Sequence, residues 1–201
     1  VMDGARFTVG LAFAAALLAS LLGTGLGLFS AVSGKALDES ISRVMDALLS
    51  IPNKIFALVM IAALGSSIPI LLLITAITYT PGVFRIARSL AVNINQMDYI
   101  QVARARGEGR IYLASVEVLP NMIHPMLTDF GLRFVYVVLL LSSLSFLGLG
   151  VQPPNADLGS LVRENMSGLW EGAPAIMAPA AAIISLTIGV NLFIDSLRSS
   201  R

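Results

Sequence analysis

The 201-residue sequence has no cysteine, little charge and no basic excess. The lack of cysteine excludes disulfides and thiolate metal sites. Only 12% of the residues are Asp, Glu, Lys or Arg, whereas a soluble domain has about a quarter of its residues charged. The formal net charge of +1 is far from the basic balance that nucleic-acid binding requires. Lipid, rather than water, is the solvent that this composition suits.

Apolar residues make up 56% of the chain, and the mean hydropathy is +0.85. They are concentrated in runs that suit helices crossing about 30 Å of hydrocarbon. The runs predict an all-α membrane protein with five transmembrane helices. These are expected at residues 8–32, 55–64 with a helical lead-in from residue 38, 68–84, 122–147 and 173–194. The second is the shortest, and the third is expected to end at Arg85 and Arg88.

The basic residues favour one side of the predicted membrane layer. Five alternating spans place the segment before the second span, residues 85–120 and the C-terminal tail together, and these segments carry most of the Lys and Arg. Because Lys and Arg concentrate in cytoplasmic loops, we expect all three in the cytoplasm. Residues 148–172 then form an extracytoplasmic segment, with a short helix at residues 158–166 and Trp170 near the headgroups.

Residues 93–121 form the most distinctive segment of the predicted cytoplasmic side. Gly107 and Gly109 indicate two short helices with a break between them, and Pro120 is expected to end the segment before the fourth span. Small or apolar residues recur there at helical spacing and form one weakly apolar face, which suits a groove on a partner protein better than lipid. The face comprises Ile100, Ala103, Gly107, Ile111, Ala114 and Val118.

This segment resembles the "EAA" signature of bacterial ABC importer permeases. The residues that match its spacing are Ala103, Gly107, Leu119 and Pro120. The residues that depart from it are Gln101, Val102 and Glu117. Residues 4–6, 145–154, 159–160 and 191–198 also resemble the permeases of dipeptide and oligopeptide importers, and their second-permease type in particular.

The resemblance implies the type I permease fold of ABC importers in a bacterial inner membrane. Similar proteins usually have six spans, so we expect residues 1–201 to be a single transmembrane permease domain that one further helix precedes. The implied partners are a second permease in a heterodimer, two cytoplasmic ATPases that hold ATP and Mg, and an extracytoplasmic substrate-binding protein. The chain itself is expected to need no cofactor. Residues 148–172 would face the binding protein, with a simple connector as the equal alternative.

A coupling role in the loop is also implied by the resemblance. Gly107 would allow the turn, Ala103 would allow close approach to the ATPase, and arginines would pair with acidic groups there. The residues expected to couple the ATPases to the spans are Gln101, Ala103, Arg104, Arg106, Gly107, Leu119 and Pro120.

Asp129 and Arg133 lie four residues apart inside the fourth predicted span. A lone charge at mid-membrane costs about 2.5–3.5 kcal/mol by insertion scales, so pairing on one helix face is expected. A structural ion pair facing the bundle is the favoured interpretation. The alternative is that the two residues line the substrate path.

The sequence offers no machinery for ATP hydrolysis. Its only Gly-Lys pair, Gly34 and Lys35, lacks the upstream glycine and the following Ser or Thr of a phosphate-binding loop. We therefore expect a transporter subunit rather than an enzyme. A secondary transporter or channel that is not driven by ATP remains the alternative, although the spans show no repeat. The cargo cannot be inferred from any residue pattern.

Overall fold

The computed structural model describes residues 1–169 and 174–199, and this part of the chain consists of helices and connecting turns. Three predicted features lie outside the described residues: Trp170, residue 173 at the start of the fifth predicted span, and Arg201 in the tail. The all-α prediction is confirmed. The helices are α1 (Met2–Val32), α2 (Lys35–Leu49), α3 (Asn53–Leu64), α4 (Ile68–Ile94), α5 (Asp98–Ala105), α6 (Arg110–Tyr112), α7 (Leu119–Phe146), α8 (Leu158–Glu164) and α9 (Pro174–Ser199).

Four helices in the described residues are long and apolar enough to cross a membrane: α1, α4, α9 and a continuous 37-residue helix from Arg110 to Phe146. The last consists of α6, a π-helical turn at Leu113–Val118, and α7. The bent pair of α2 and α3 supplies a fifth span if it counts as one. The predicted count of five agrees with this arrangement.

The second span differs in shape from the prediction. A bend of 86° separates α2 from α3, so the lead-in does not run straight into the span. The bend lies at Pro52, which precedes the first residue of α3 and disfavours helical backbone at the residue before it. The 12 residues of α3 rise about 18 Å, which is less than the hydrocarbon thickness of about 30 Å.

Helices α1 and α4 pack along a seam of small residues, here called the glycine seam (Gly23 and Gly27). Gly23 lies against Val83, and four residues later Gly27 lies against Ala87. A step of four residues along α1 thus corresponds to a step of four residues in the same direction along α4, so the two helices run parallel. Small side chains allow this close backbone approach, as they do between membrane helices in general.

The bundle has two distinct ends. At one, called the loop end, the Asn95 side-chain amide donates a hydrogen bond to the Ala31 carbonyl (3.3 Å), which brings the ends of α1 and α4 together. At the other, called the α8 end, the backbone N–H of Leu158 donates to the Thr8 hydroxyl (3.0 Å). The bundle therefore carries α5 and α6 at one end and α8 at the other.

Two helices extend beyond their predicted boundaries. Helix α4 does not stop at Arg85 and Arg88 but continues to Ile94. Pro120 does not end the loop segment either, since the helix from Arg110 continues through it. Proline lacks an N–H and its ring crowds the preceding turn of an α-helix. The π turn at Leu113–Val118 lies just before Pro120. Its hydrogen bonds join residues five apart rather than four, so the backbone hydrogen-bonding pattern departs from the α-helix just before the proline.

Candidate functional site

The loop between α4 and α7 consists of two helical pieces joined by a tight turn, as predicted. Helix α5 ends at Ala105, and Gly107 adopts φ +86°, in the left-handed region that favours glycine. The Gly107 N–H donates to the Arg104 carbonyl (2.9 Å), and the Glu108 N–H donates to the Ala103 carbonyl (3.3 Å). The space beside Gly107 is open within this chain. Its backbone conformation, rather than a close neighbour in this chain, therefore requires glycine.

The inner face of this loop packs on the chain's own bundle. Ile100, Ala103 and Val118 are fully buried, and Leu113 is nearly so. Together they form one apolar cluster with residues of α4 and α7, namely Val83, Ala87, Ala91, Met122 and Met126.

The single face predicted to enter a partner's groove is therefore divided between two surfaces. Ile100, Ala103 and Val118 point into the bundle, whereas Ile111 is 86% exposed. Ala103 permits close approach, but to this chain's own helices. The predicted face assumed continuous α-helical spacing, which the turn at Gly107 (φ +86°) and the π turn at Leu113–Val118 both interrupt.

The loop also carries exposed apolar and aromatic side chains, here together called the outer face. Val102 lies two residues from the buried Ile100, which is about 200° around a helix. Sequence reasoning missed this surface, although that angular relation to Ile100 was available. Large exposed apolar groups next to charged ones mark interaction sites. The outer face comprises Tyr99, Val102, Ile111, Tyr112 and Val116.

The remaining residues of the predicted coupling set are exposed or half-buried. Gln101, Arg106 and Pro120 are exposed, and Leu119 is half-buried. Arg104 is also exposed, and its guanidinium donates to the Asn95 side-chain oxygen (2.8 Å). Asn95 in turn bonds to Ala31, so Arg104 is connected to the end of α1.

Arg85 and Arg88 pair with the side of α2. Arg88 binds the Asp38 carboxylate through two guanidinium nitrogens, and the Ser30 hydroxyl donates to the same carboxylate. Arg85 pairs with Asp46 at 2.7 Å, where both side chains are largely exposed. Asp38 and Asp46 lie eight residues apart and so face α4 from one side of α2. These two acidic residues were not identified from sequence, and their i, i+8 spacing was the available signal.

Asp129 and Arg133 form the predicted ion pair inside α7, with the Arg133 Nε 3.2 Å from the Asp129 carboxylate. The pair is mostly buried, with 8% and 16% of the two side chains exposed. The Arg133 guanidinium lies against Gly82 of α4, so close that a Cβ there would lie 2.7 Å from it. The pair therefore lies where α7 packs against α4. No group of three or more His, Asp or Glu side chains in the described residues could hold a metal ion.

Long apolar helices, a bent second span and a helical loop at one end define a multi-pass membrane protein. Residues 23–199 match the family described as "Binding-protein-dependent transport system inner membrane component". The chain belongs to this family and is a permease subunit of a transport system.

Named relatives agree with this assignment. The chain is 30% identical to "Dipeptide transport system permease protein DppC" of Haemophilus influenzae, over all of this chain and 68% of the relative. It is 34% identical to "Probable D,D-dipeptide transport system permease protein DdpC" of Escherichia coli, over 90% of this chain and 61% of the relative. "Glutathione transport system permease protein GsiD" of Pectobacterium atrosepticum is 28% identical over the whole chain and 66% of the relative. The chain thus spans about two thirds of the length of these relatives.

Solved structures confirm the permease fold of ABC importers. A chain of the "MetNI methionine ABC transporter" in an inward-facing conformation matches 99% of this chain and 94% of its own length, with a TM-score of 0.80 and 15% identity. A chain of "an amino acid ABC transporter with histidines" matches 100% and 93%, with a TM-score of 0.72 and 17% identity. At these identities the likeness establishes the fold alone.

Proposed function

We propose that this chain forms part of the path by which a peptide-sized solute enters a bacterial cell, driven by ATP hydrolysis on separate subunits. A substrate-binding protein delivers the solute at the α8 end, and two ATPases engage residues 93–121 at the loop end. A second permease completes the path as a heterodimer partner. The observation that carries this proposal is the outer face, a set of exposed apolar side chains on a loop whose inner face is fixed to the spans.

The loop has the physical properties of a coupling element. Its inner face is buried against α4 and α7, so a force on its outer face reaches both spans. Arg104 and Asn95 extend the connection to the end of α1. Gln101 and Arg106 are exposed beside the outer face and are free to contact a partner. In this proposal Ala103, Gly107, Leu119 and Pro120 shape and anchor the loop.

Orientation follows from charge. The loop end carries the arginines of residues 98–121 and the basic residues of α2, which supports a cytoplasmic loop end and C-terminus. Peptides are the proposed cargo because relatives at 30% and 34% identity are named for dipeptide and D,D-dipeptide transport. A relative named for glutathione fits the same class of small, hydrophilic, amide-containing solutes.

Reconstitution of the whole complex tests the energy source. Permease heterodimer, ATPases and binding protein are placed in proteoliposomes with a radiolabelled dipeptide. We expect uptake only with hydrolysable ATP. Uptake that persists without ATP, or with hydrolysis blocked, would favour the secondary transporter or channel.

A pair of matched variants tests the outer face. Ile111→Ser removes the most exposed apolar side chain of the loop, whereas Val44→Ser removes a 57% exposed one on α2. Burial of an isoleucine stabilises an interface by about 2 kcal/mol. We therefore expect Ile111→Ser to lower ATP-driven uptake by about an order of magnitude and Val44→Ser to leave it unchanged. Equal uptake in both variants would remove the outer face from the coupling role.

A further inference from the structure

A buried polar cluster ties α8 to two spans at once. Asp157, at the N-terminus of α8, is 1% exposed, and one of its carboxylate oxygens accepts a hydrogen bond from the backbone N–H of Ser160 (2.8 Å). Its other oxygen accepts one from the Ser145 hydroxyl near the end of α7 (2.7 Å). The cap of α8 and its link to α7 therefore share one carboxylate.

The second link runs to α1. The Leu158 N–H, one residue after Asp157, donates to the Thr8 hydroxyl (3.0 Å), and Thr8 donates in turn to the Gly4 carbonyl of its own helix (2.9 Å). Thr8 is 1% exposed. The Ser145 hydroxyl also accepts the N–H of Val151 in the connector (3.2 Å). Thr8, Ser145 and Asp157, here called the polar clamp, are thus all hydrogen-bonded.

Close packing surrounds the polar clamp. Gly159 lies directly on the backbone of Ser142 in α7, where a Cβ would overlap it. A Cβ on Gly4 would lie 2.8 Å from the Leu161 side chain of α8. Because hydrogen bonds and packing both fix the contact, α8 has little freedom to move independently of α1 and α7.

Both spans held by the polar clamp extend to the loop end. Helix α1 runs beside α4 along the glycine seam to Ala31, which accepts the Asn95 hydrogen bond. Helix α7 is continuous with α6, whose first residue, Arg110, belongs to the proposed coupling loop. The 37 residues from Arg110 to Phe146 span about 55 Å. Two rigid connections therefore join α8 to the opposite end of the bundle.

We infer that Asp157 is a positioning residue: through Ser145 and the adjoining Leu158–Thr8 bond, it fixes α8 to α7 and α1 so that a binding protein seated on α8 acts on both spans. This inference rests on the proposed function. The polar clamp does not contact cargo. It determines whether docking at one end reaches the ATPases at the other.

Three substitutions of buried hydroxyl residues separate transmission from folding. Thr8→Val breaks the link between α8 and α1, together with the Thr8 bond to Gly4 inside α1. Ser145→Ala breaks the link between Asp157 and α7 and the bond from Val151. Ser160→Ala is the matched control, because the Ser160 hydroxyl bonds only to the Asp157 backbone in the start of α8. The ATPase rate of each complex is measured in nanodiscs with and without its binding protein, supplied with a dipeptide, and each melting temperature is recorded.

We expect the stimulated part of the ATPase rate to fall about tenfold in Thr8→Val and Ser145→Ala, the order of effect of losing one buried hydrogen bond. The basal rate stays unchanged in both, and Ser160→Ala keeps normal stimulation. Asp157→Asn retains a capping oxygen for the Ser160 N–H but replaces the acceptor of the Ser145 hydroxyl. It is expected to show the same selective loss, and it serves if another variant does not assemble.

Several results would overturn the inference. Normal stimulation in Thr8→Val, Ser145→Ala and Asp157→Asn would do so, as would basal and stimulated rates that fall in parallel with the melting temperature. If Ser160→Ala lost as much stimulation as the other variants, the polar clamp would act only as the N-terminal cap of α8. Failure of the proposed function is a separate result, because the wild-type complex would then show no ATP-driven uptake.

Discussion

At the scale of single residues, neighbouring glycines of α1 have different surroundings. Gly27 faces α4, where a Cβ would lie 2.8 Å from both the Ala87 Cβ and the backbone nitrogen of Arg88. Gly25, half a turn away, has no heavy atom within 4 Å of the same position. The first glycine is required by packing, and the second is free to change.

Gly27→Ala is expected to force α1 away from α4. Overpacking of this kind costs about 1–3 kcal/mol, so the purified permease complex should melt at a lower temperature in detergent. Gly25→Ala is the control and is expected to melt at or slightly above the wild-type temperature, since alanine favours the helix by about 0.5–1 kcal/mol. Equal melting of the two variants would contradict a close α1–α4 contact.

Variants of the Asp129–Arg133 pair distinguish a structural role for the two residues from a role in the substrate path. Asp129→Asn leaves the Arg133 cation against Gly82 without its carboxylate, and breaking a buried pair costs about 3–5 kcal/mol. We expect a low yield of assembled complex. The double variant Asp129→Asn with Arg133→Gln removes both charges and should recover assembly.

Uptake by that double variant decides the role of the pair. A structural pair predicts near-normal dipeptide uptake per assembled complex. Full assembly with lost uptake would instead assign both residues to the substrate path.

At the scale of elements, the turn between α5 and α6 determines how the loop is presented. A side chain at φ +86° costs about 1–2 kcal/mol, even though the space around Gly107 is open. Gly107→Ala is therefore expected to lower ATP-driven uptake several-fold while the amount of protein in the membrane stays normal. Gly109→Ala is the control, because Gly109 has φ −75° and equally open surroundings. Identical uptake by the two variants would show that the turn conformation is unimportant.

The same elements show where sequence reasoning was sufficient. The break at Gly107 was predictable, since glycine repeatedly marks left-handed turns. The inward face after it was not, because Leu113 and Val118 are both buried although they lie five residues apart. That spacing suits a π turn, which no residue pattern in the sequence predicts. The bend at Pro52 also required the three-dimensional structure, since proline before a helix fits a straight approach or a sharp turn equally well.

At the scale of the whole molecule, the long spans were predictable because uninterrupted apolar runs can lie only in lipid or in a core. The grouping of the loop and of α2 at one end also follows from charge, and the pairing of Asp38 with Arg88 holds α2 against α4. The outer face was harder to predict, because its exposed apolar residues have no partner in this chain's own packing and only the position of Val102 relative to Ile100 indicates it.

Single-cysteine labelling tests the orientation of the whole bundle. The chain has no cysteine, so each variant reports one position without background. A membrane-impermeant maleimide applied to intact spheroplasts is expected to label Asn155→Cys and to leave Arg106→Cys unmodified until the membrane is opened. Both side chains are exposed at their ends of the bundle, so access to the reagent is the only variable. The reverse pattern would place residues 93–121 outside the cell and exclude their contact with ATPases.

The π turn at Leu113–Val118 has a consequence for how the length of this protein can vary. Such a turn holds one residue more than the α-helical register needs. Loss of Ala114 would therefore close it into ordinary helix and leave both flanks in phase. Elsewhere along the same 37 residues, a one-residue deletion would rotate everything on one side by about 100° relative to the other. The turn is therefore the place on this helix where a residue can be gained or lost over evolutionary time without rotating α6 relative to α7.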